Sequence, residues 1–74
     1  MKYLTAERIN NIMGILYNVN QYEITDLIHS IEVETPFFYW QTLNLLFKEC
    51  QMANKTFTMH VSEAGKCLLK INMR

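Results

Sequence analysis

His29, Cys50, His60 and Cys67 are the side chains of this sequence that could hold a transition metal. None stands at Cys-x-x-Cys, His-x-x-x-His or another paired spacing, so a shared site would need four isolated positions to converge. Neither a metal nor a cofactor is therefore expected. Cys50 and Cys67 read as small buried residues, His60 as an outward-facing strand residue and His29 as an exposed one. Nucleophilic catalysis asks for Ser, Cys or Thr with a histidine and an acid at a recognisable spacing, and no such set is found. Glu32 and Glu34 flank a turn and read as solvated carboxylates, and two glycines provide no phosphate-cradling loop. An enzyme is not expected.

What remains is binding chemistry. Phe37-Phe38-Tyr39-Trp40 is a run of four large rings. In a helix four consecutive positions sweep most of the circumference, so one ring must face outward. Tyr39 and Trp40 read as core anchors, and Phe38 is the expected outward ring, suited to a protein contact. The second feature is charge. Residues 1–40 carry two basic residues against five acidic ones, a balance of −3, and residues 41–74 carry five against two, a balance of +3. Lys48, Lys55, Lys66, Lys70 and Arg74 make the second half basic, either as a phosphate-tracking set or as dispersed solubilising charges.

The elements that must position these residues fit in 74 residues, half of them hydrophobic. That length allows one domain, 1–74, with a small core. The apolar fraction is too high for disorder, and two cysteines are too few for a disulfide framework. No apolar run approaches the roughly 20 residues that span a bilayer, and the start turns polar within a few residues. The expectation is a cytoplasmic chain with reduced thiols and no membrane contact.

Three breaks, at Asn18–Asn20, Glu32–Pro36 and Ala53–Lys55, cut the chain into four segments. Thr5 can cap a first helix carrying Ile9, Ile12, Met13, Leu16 and Tyr17 on one stripe. Ile24, Leu27, Ile28 and Ile31 repeat that spacing in a short second helix. Thr35-Pro36 opens a third, whose apolar face holds Tyr39, Leu43, Leu46 and Cys50 with Trp40 and Phe47 beside them, and whose polar face holds Gln41, Thr42, Asn44, Lys48 and Glu49. Thr56–Val61 alternates as a strand, with Gln51–Ala53 as its candidate partner. The last segment fits two readings: Ala64, Cys67, Leu68 and Ile71 fit a helix capped by Ser62, and Leu69, Ile71 and Met73 fit a strand equally well.

This order resembles the winged helix-turn-helix family. Leu27, Ile28 and Ile31 stand where such regulators place the apolar residues of their second helix, Val33 where they have the turn residue, and Tyr39, Leu43 and Leu46 where they have the third helix. Val61-Ser62-Glu63-Ala64-Gly65-Lys66-Cys67-Leu68-Leu69 is similar to the string that opens the family's last helix, which is why that segment is taken as helix. The resemblance implies a mainly α fold with a small β-hairpin: three helices, a two-stranded wing and a C-terminal helix. It also implies a small transcriptional regulator binding duplex DNA, with Gln41, Asn44, Lys48, Lys55, Lys66 and Lys70 as contacts, and a homodimer seamed between first and last helices. The alternative is a protein-interaction or inhibitor module, of the kind a phage or other mobile element encodes, whose contact surface is Phe37, Phe38, Gln41 and Leu45. The front of helix three, which carries no basic residue before Lys48, motivates that alternative.

Overall fold

The computed structural model describes residues 3–73. Arg74, one of the basic residues noted above, lies outside them. The chain runs α1 (Ala6–Met13), a short 3-10 turn (Val19–Gln21), β1 (Glu23–Asp26), β2 (Ser30–Thr35), α2 (Trp40–Met52), β3 (Thr56–Val61) and β4 (Cys67–Asn72). The four strands form one antiparallel sheet in the order β1-β2-β4-β3. Both helices lie on one face of it, so the architecture is α+β, with two layers.

This corrects the expected winged helix-turn-helix architecture of three helices, a small wing and a C-terminal helix. Only the first and third segments are helical. The second segment is the β1–β2 hairpin, closed by the Leu27 N–H on the Ser30 carbonyl with Ile28 and His29 at its tip. Leu27 and Ile28 mimic a helical stripe by spacing alone, for both are exposed in the turn. The signal that wins is period two: Ile31, Val33 and Thr35 are buried while Glu32 and Glu34 face the other way. The last segment is strand β4 because the central position of the sheet needs apolar residues on its covered face, and Leu69 and Ile71 supply them fully buried. Ser62-Glu63-Ala64-Gly65-Lys66 is the β3–β4 hairpin loop. The Ser62 N–H donates to the Lys66 carbonyl, the Lys66 N–H donates to Ser62 Oγ, and Gly65 adopts φ 76°. The glycine that resembled a helix opening serves there as a left-handed turn residue. Gln51–Ala53 does not pair with β3: Gln51 and Met52 end α2 and Ala53 caps it.

α1 begins where Thr5 accepts the Arg8 N–H on its side chain, and it buries Ile9, Ile12 and Met13. It stops at Gly14, and Leu16 is left exposed. α2 starts at Trp40, four residues after Pro36, because Thr35 ends β2 and spends its hydroxyl on the Gln21 carbonyl. Its inward face is Thr42, Leu46, Glu49 and Cys50. Thr42 and Glu49, expected on the polar face, turn inward instead, Glu49 with its carboxylate held by Arg8. The helix closes in a Schellman pattern: Lys55 N–H bonds the Cys50 carbonyl and Asn54 N–H the Gln51 carbonyl, with Asn54 at φ 57°. That tight stop sends the chain back as β3, antiparallel to the helix.

The core lies between the layers and joins Ile9, Met13 and Tyr17 to Leu46 and Cys50, and these to Val33, Leu69 and Ile71. The opposite sheet face is polar apart from Leu68. Glu23, Glu34, Leu68 and His60 form one cross-strand row, and Thr25, Glu32, Lys70 and Thr58 the next. Among the described residues no helix is long and apolar enough to cross a membrane.

Candidate functional site

The site begins with what the helices fail to cover. β3 is the edge strand next to β4, and all six of its residues are exposed. Phe57, Met59 and Val61 alternate onto the helix-bearing face, opposite Ile71, Leu69 and Cys67 of β4. Phe57 is partly covered by Phe47 of α2, whose ring stacks on it at 4.3 Å and 6°. Met59 keeps 44% of its surface open and Val61 79%. On α2, Trp40, Leu43 and Phe47 recur at three- and four-residue intervals and share the flank that faces β3. Trp40 is 70% exposed. An apolar margin therefore runs along one side of the molecule, with the free edge of a sheet as its floor.

The edge itself is chemically defined. Ser62 bonds Lys66 across the β3–β4 ladder, so by the alternation of an antiparallel pair His60, Thr58 and Thr56 point their main-chain groups at β4. The N–H and C=O groups of Phe57, Met59 and Val61 then point outward. β3 carries no Asp, Glu, Lys, Arg or Pro. The other edge, β1, is four residues long and carries Glu23 and Asp26. Natural sheets protect their edges with charge, proline or brevity, and only β1 has such protection.

The aromatic run is placed differently from expectation. Phe38 packs against the core, half-buried, while Trp40 and Tyr39, expected inside, are exposed. The reason is that residues 37–39 precede the helix, so helical phase does not apply to them. Phe37, Tyr39 and Tyr17 form a ring cluster with centroids 4.9 to 6.1 Å apart. The Tyr17 hydroxyl pins it, donating to the Phe37 carbonyl at 3.0 Å and accepting from the Tyr39 N–H at 2.7 Å. Gln41 and Leu45 are exposed on the α1-facing flank of α2, away from β3. Of Phe37, Phe38, Gln41 and Leu45, no more than Phe37 belongs to the exposed part of the ring cluster, and the four do not make one surface.

The candidate phosphate contacts are dispersed as well. Lys48 stands with Arg8 and Leu45 at the groove between α1 and α2. Lys70 belongs to the opposite sheet face, paired across the strands with Glu32. Lys66 sits in the β3–β4 loop, and Lys55, at the far end of β4, donates to the Met73 carbonyl at 3.1 Å. Lys55 and Lys66 are thus about 20 Å apart along the sheet. Gln41 and Asn44 are exposed on α2 with no lysine row beside them. The expected dimer seam between first and last helices has no last helix to form it, since that segment is β4.

Two further concavities lie elsewhere: a cleft of about 260 Å³ between Tyr17, Tyr22, Glu23, Glu34, Phe37 and Lys66, below the usual size of a ligand pocket, and a shallow groove of about 450 Å³ between α1 and α2 lined by Ile12, Ile15, Leu45 and Met52. Among the described residues no group of His, Cys, Asp and Glu could hold a metal. Arg8 Nε meets Glu49 Oε1 at 3.0 Å, tying α1 to α2, and the hydrogen bond and charge of Glu49 raise the guanidinium pKa. Burial first, and the Glu49 charge second, push the Cys50 thiol up to about 11. At about pH 8 a thiol reagent should therefore modify half-exposed Cys67 in the native chain and reach Cys50 only after unfolding, as mass spectrometry would read. The same shift carries a stability prediction. The folded state holds the Cys50 proton more tightly than the unfolded state, so stability is complete below pH 9.0 and falls as pH climbs towards about 11. Thermal melts across that window should show the decline, shallower in Cys50→Ala.

No protein-family model matches the chain, and no curated protein or solved structure is significantly similar to it.

Proposed function

We propose that this chain is a protein-interaction module that engages its partner through the free edge of β3 and the adjoining flank of α2. The observation that carries the reading is the gathering of uncovered apolar side chains, Trp40, Met59 and Val61, beside outward main-chain groups on an unprotected edge. Interfaces of this type combine strand pairing, which gives affinity, with alternate side-chain pockets, which give specificity. The exposed indole suits the centre of such a contact. This shifts the contact surface of an interaction module from Phe37 and Phe38 to the opposite flank of α2. Duplex DNA binding has weaker support, because the lysines it requires stand on different faces.

Two measurements test the reading. Photo-cross-linkers placed at Met59 and at Thr25 in living host cells should give protein adducts at Met59 and none at Thr25, which lies on the polar sheet face. Equal yields, or none at Met59, would refute it. A mobility-shift series with random duplex should show no retardation at about 50 mM salt, where phosphate contacts are strongest. A shift that fades steeply with added salt would restore the DNA-binding reading instead.

A further inference from the structure

We infer that the partner seated on β3 is a second copy of this chain, joined by antiparallel pairing of β3 with β3 about a two-fold axis through Met59; the inference rests on the interaction reading above. Three observations converge on self-pairing. The first is register. The outward main-chain groups belong to Phe57, Met59 and Val61, and a two-fold axis at Met59 sets Met59 opposite Met59 and each Phe57 opposite the other copy's Val61. Every outward N–H and C=O of those residues then finds a partner, and the apolar side chains of both copies stay on one face. On the other face Thr58 meets His60.

The second observation is charge. β3 has no formally charged residue and the whole chain is balanced at +0, so two copies meet without repulsion. A foreign strand would gain no charge complementarity here that a second copy lacks. The third is the helix above the edge. Antiparallel pairing adds the second β3 about 4.8 Å away and keeps both α2 helices on the same side of a continuous eight-stranded sheet. The Trp40, Leu43 and Phe47 flanks of the two copies then face each other across the seam. The apolar side chains left open by one copy are covered by the same side chains of the other, as an isologous interface requires.

The full chain is the right material for the test. Sedimentation at concentrations up to about 200 μM, where a dimer with Kd near 10 μM is mostly assembled, should give twice the 8.8 kDa chain mass. Trp40, the sole tryptophan, should shift its emission to the blue as the dimer forms. Met59→Lys puts two ammonium groups on the axis and should weaken dimerisation roughly 100-fold or more, with the far-UV circular dichroism of a folded chain. A second variant set is independent of that substitution. In a Cys67→Ser background, Met59→Cys should oxidise to a disulfide-linked dimer, because hydrogen-bonded antiparallel partners have Cα atoms about 5.5 Å apart. Phe57→Cys and Val61→Cys should not link to themselves, since each lies about 13 Å from its own copy.

A wild-type chain that stays monomeric overturns the inference. So does a Met59→Lys chain that dimerises like wild type, or self-linking at Phe57→Cys equal to that at Met59→Cys. A monomer whose Met59 cross-linker still captures another protein in the host overturns self-pairing and leaves the interaction reading intact. A monomer with no adduct at Met59 overturns both.

Discussion

Leu69→Ala is expected to cost about 3 kcal/mol of stability, the middle of the range for truncating a sealed leucine. Leu69 is fully buried on β4, with Val33 beside it on one neighbouring strand and Met59 on the other. The layer above is Leu46, Met13 and Ile9, all fully buried, so little can collapse into the space. A chain of this length holds about 4–11 kcal/mol in total, and the loss should lower the thermal midpoint by about 12–24 °C. Leu68→Ala is the internal control. Leu68 points to the polar sheet face, half-exposed in the row with Glu34 and His60, and its truncation should cost less than about 1 kcal/mol. Urea titrations of both variants read the difference directly. Equal losses at 68 and 69 would contradict the strand and its facing.

That pair of leucines also shows where the sequence is readable and where it is not. A helix over the last segment groups Cys67 and Leu68 with Ile71, whereas a strand groups Leu69 with Ile71. Both patterns fit the same letters, because runs of apolar residues satisfy period 3.6 and period two together. What decides is the central place of β4 between β2 and β3, a long-range fact that no window of ten residues contains. The hairpin at 23–35 was obscured in the same way: Leu27 and Ile28 complete a false helical stripe, although Ile31, Val33 and Thr35 carry the β-branched side chains that favour a pleated surface. Legibility was best where local chemistry settles the matter. Thr5 and the Ile9, Ile12, Met13 stripe define α1, and the alternation of Thr56–Val61 defines β3. The candidate site was half visible. The alternation showed that Phe57, Met59 and Val61 share a face, but only the width of the helical layer shows that Met59 and Val61 are left uncovered. The uncharged, proline-free composition of β3 was the available signal for an edge that can still pair. It goes unnoticed unless the strand is known to be an edge.

Tyr17→Phe is expected to cost about 2 kcal/mol although it removes a single oxygen. The Tyr17 hydroxyl is the shared partner of the Phe37 carbonyl and the Tyr39 N–H, at 3.0 and 2.7 Å. Without it both groups remain in a part-buried cluster of rings, and an unpaired buried polar group costs about 1–3 kcal/mol. Burial raises the phenol pKa above its ordinary value, so the hydroxyl keeps its proton, and its donation to Phe37, further into alkaline solution than a free tyrosine would. The effect should not stay local. Tyr39 is the N-cap of α2 and has no side-chain capping bond of its own. The Tyr17 hydroxyl therefore fixes the approach to the helix and, one residue on, the base of Trp40. Amide exchange at Tyr39 should quicken markedly in Tyr17→Phe, while exchange in the β4 core follows only the global loss. Tyr22→Phe separates this from the general loss of a phenol. Its hydroxyl meets Asn10 Oδ1 at 2.6 Å in an exposed setting, where water replaces the bond, so its removal should change stability by less than about 0.5 kcal/mol. If Tyr17→Phe proved as mild as Tyr22→Phe, the ring cluster would be held by packing alone. The route from α1 through Tyr17 to the exposed flank of α2 would then lose its polar link.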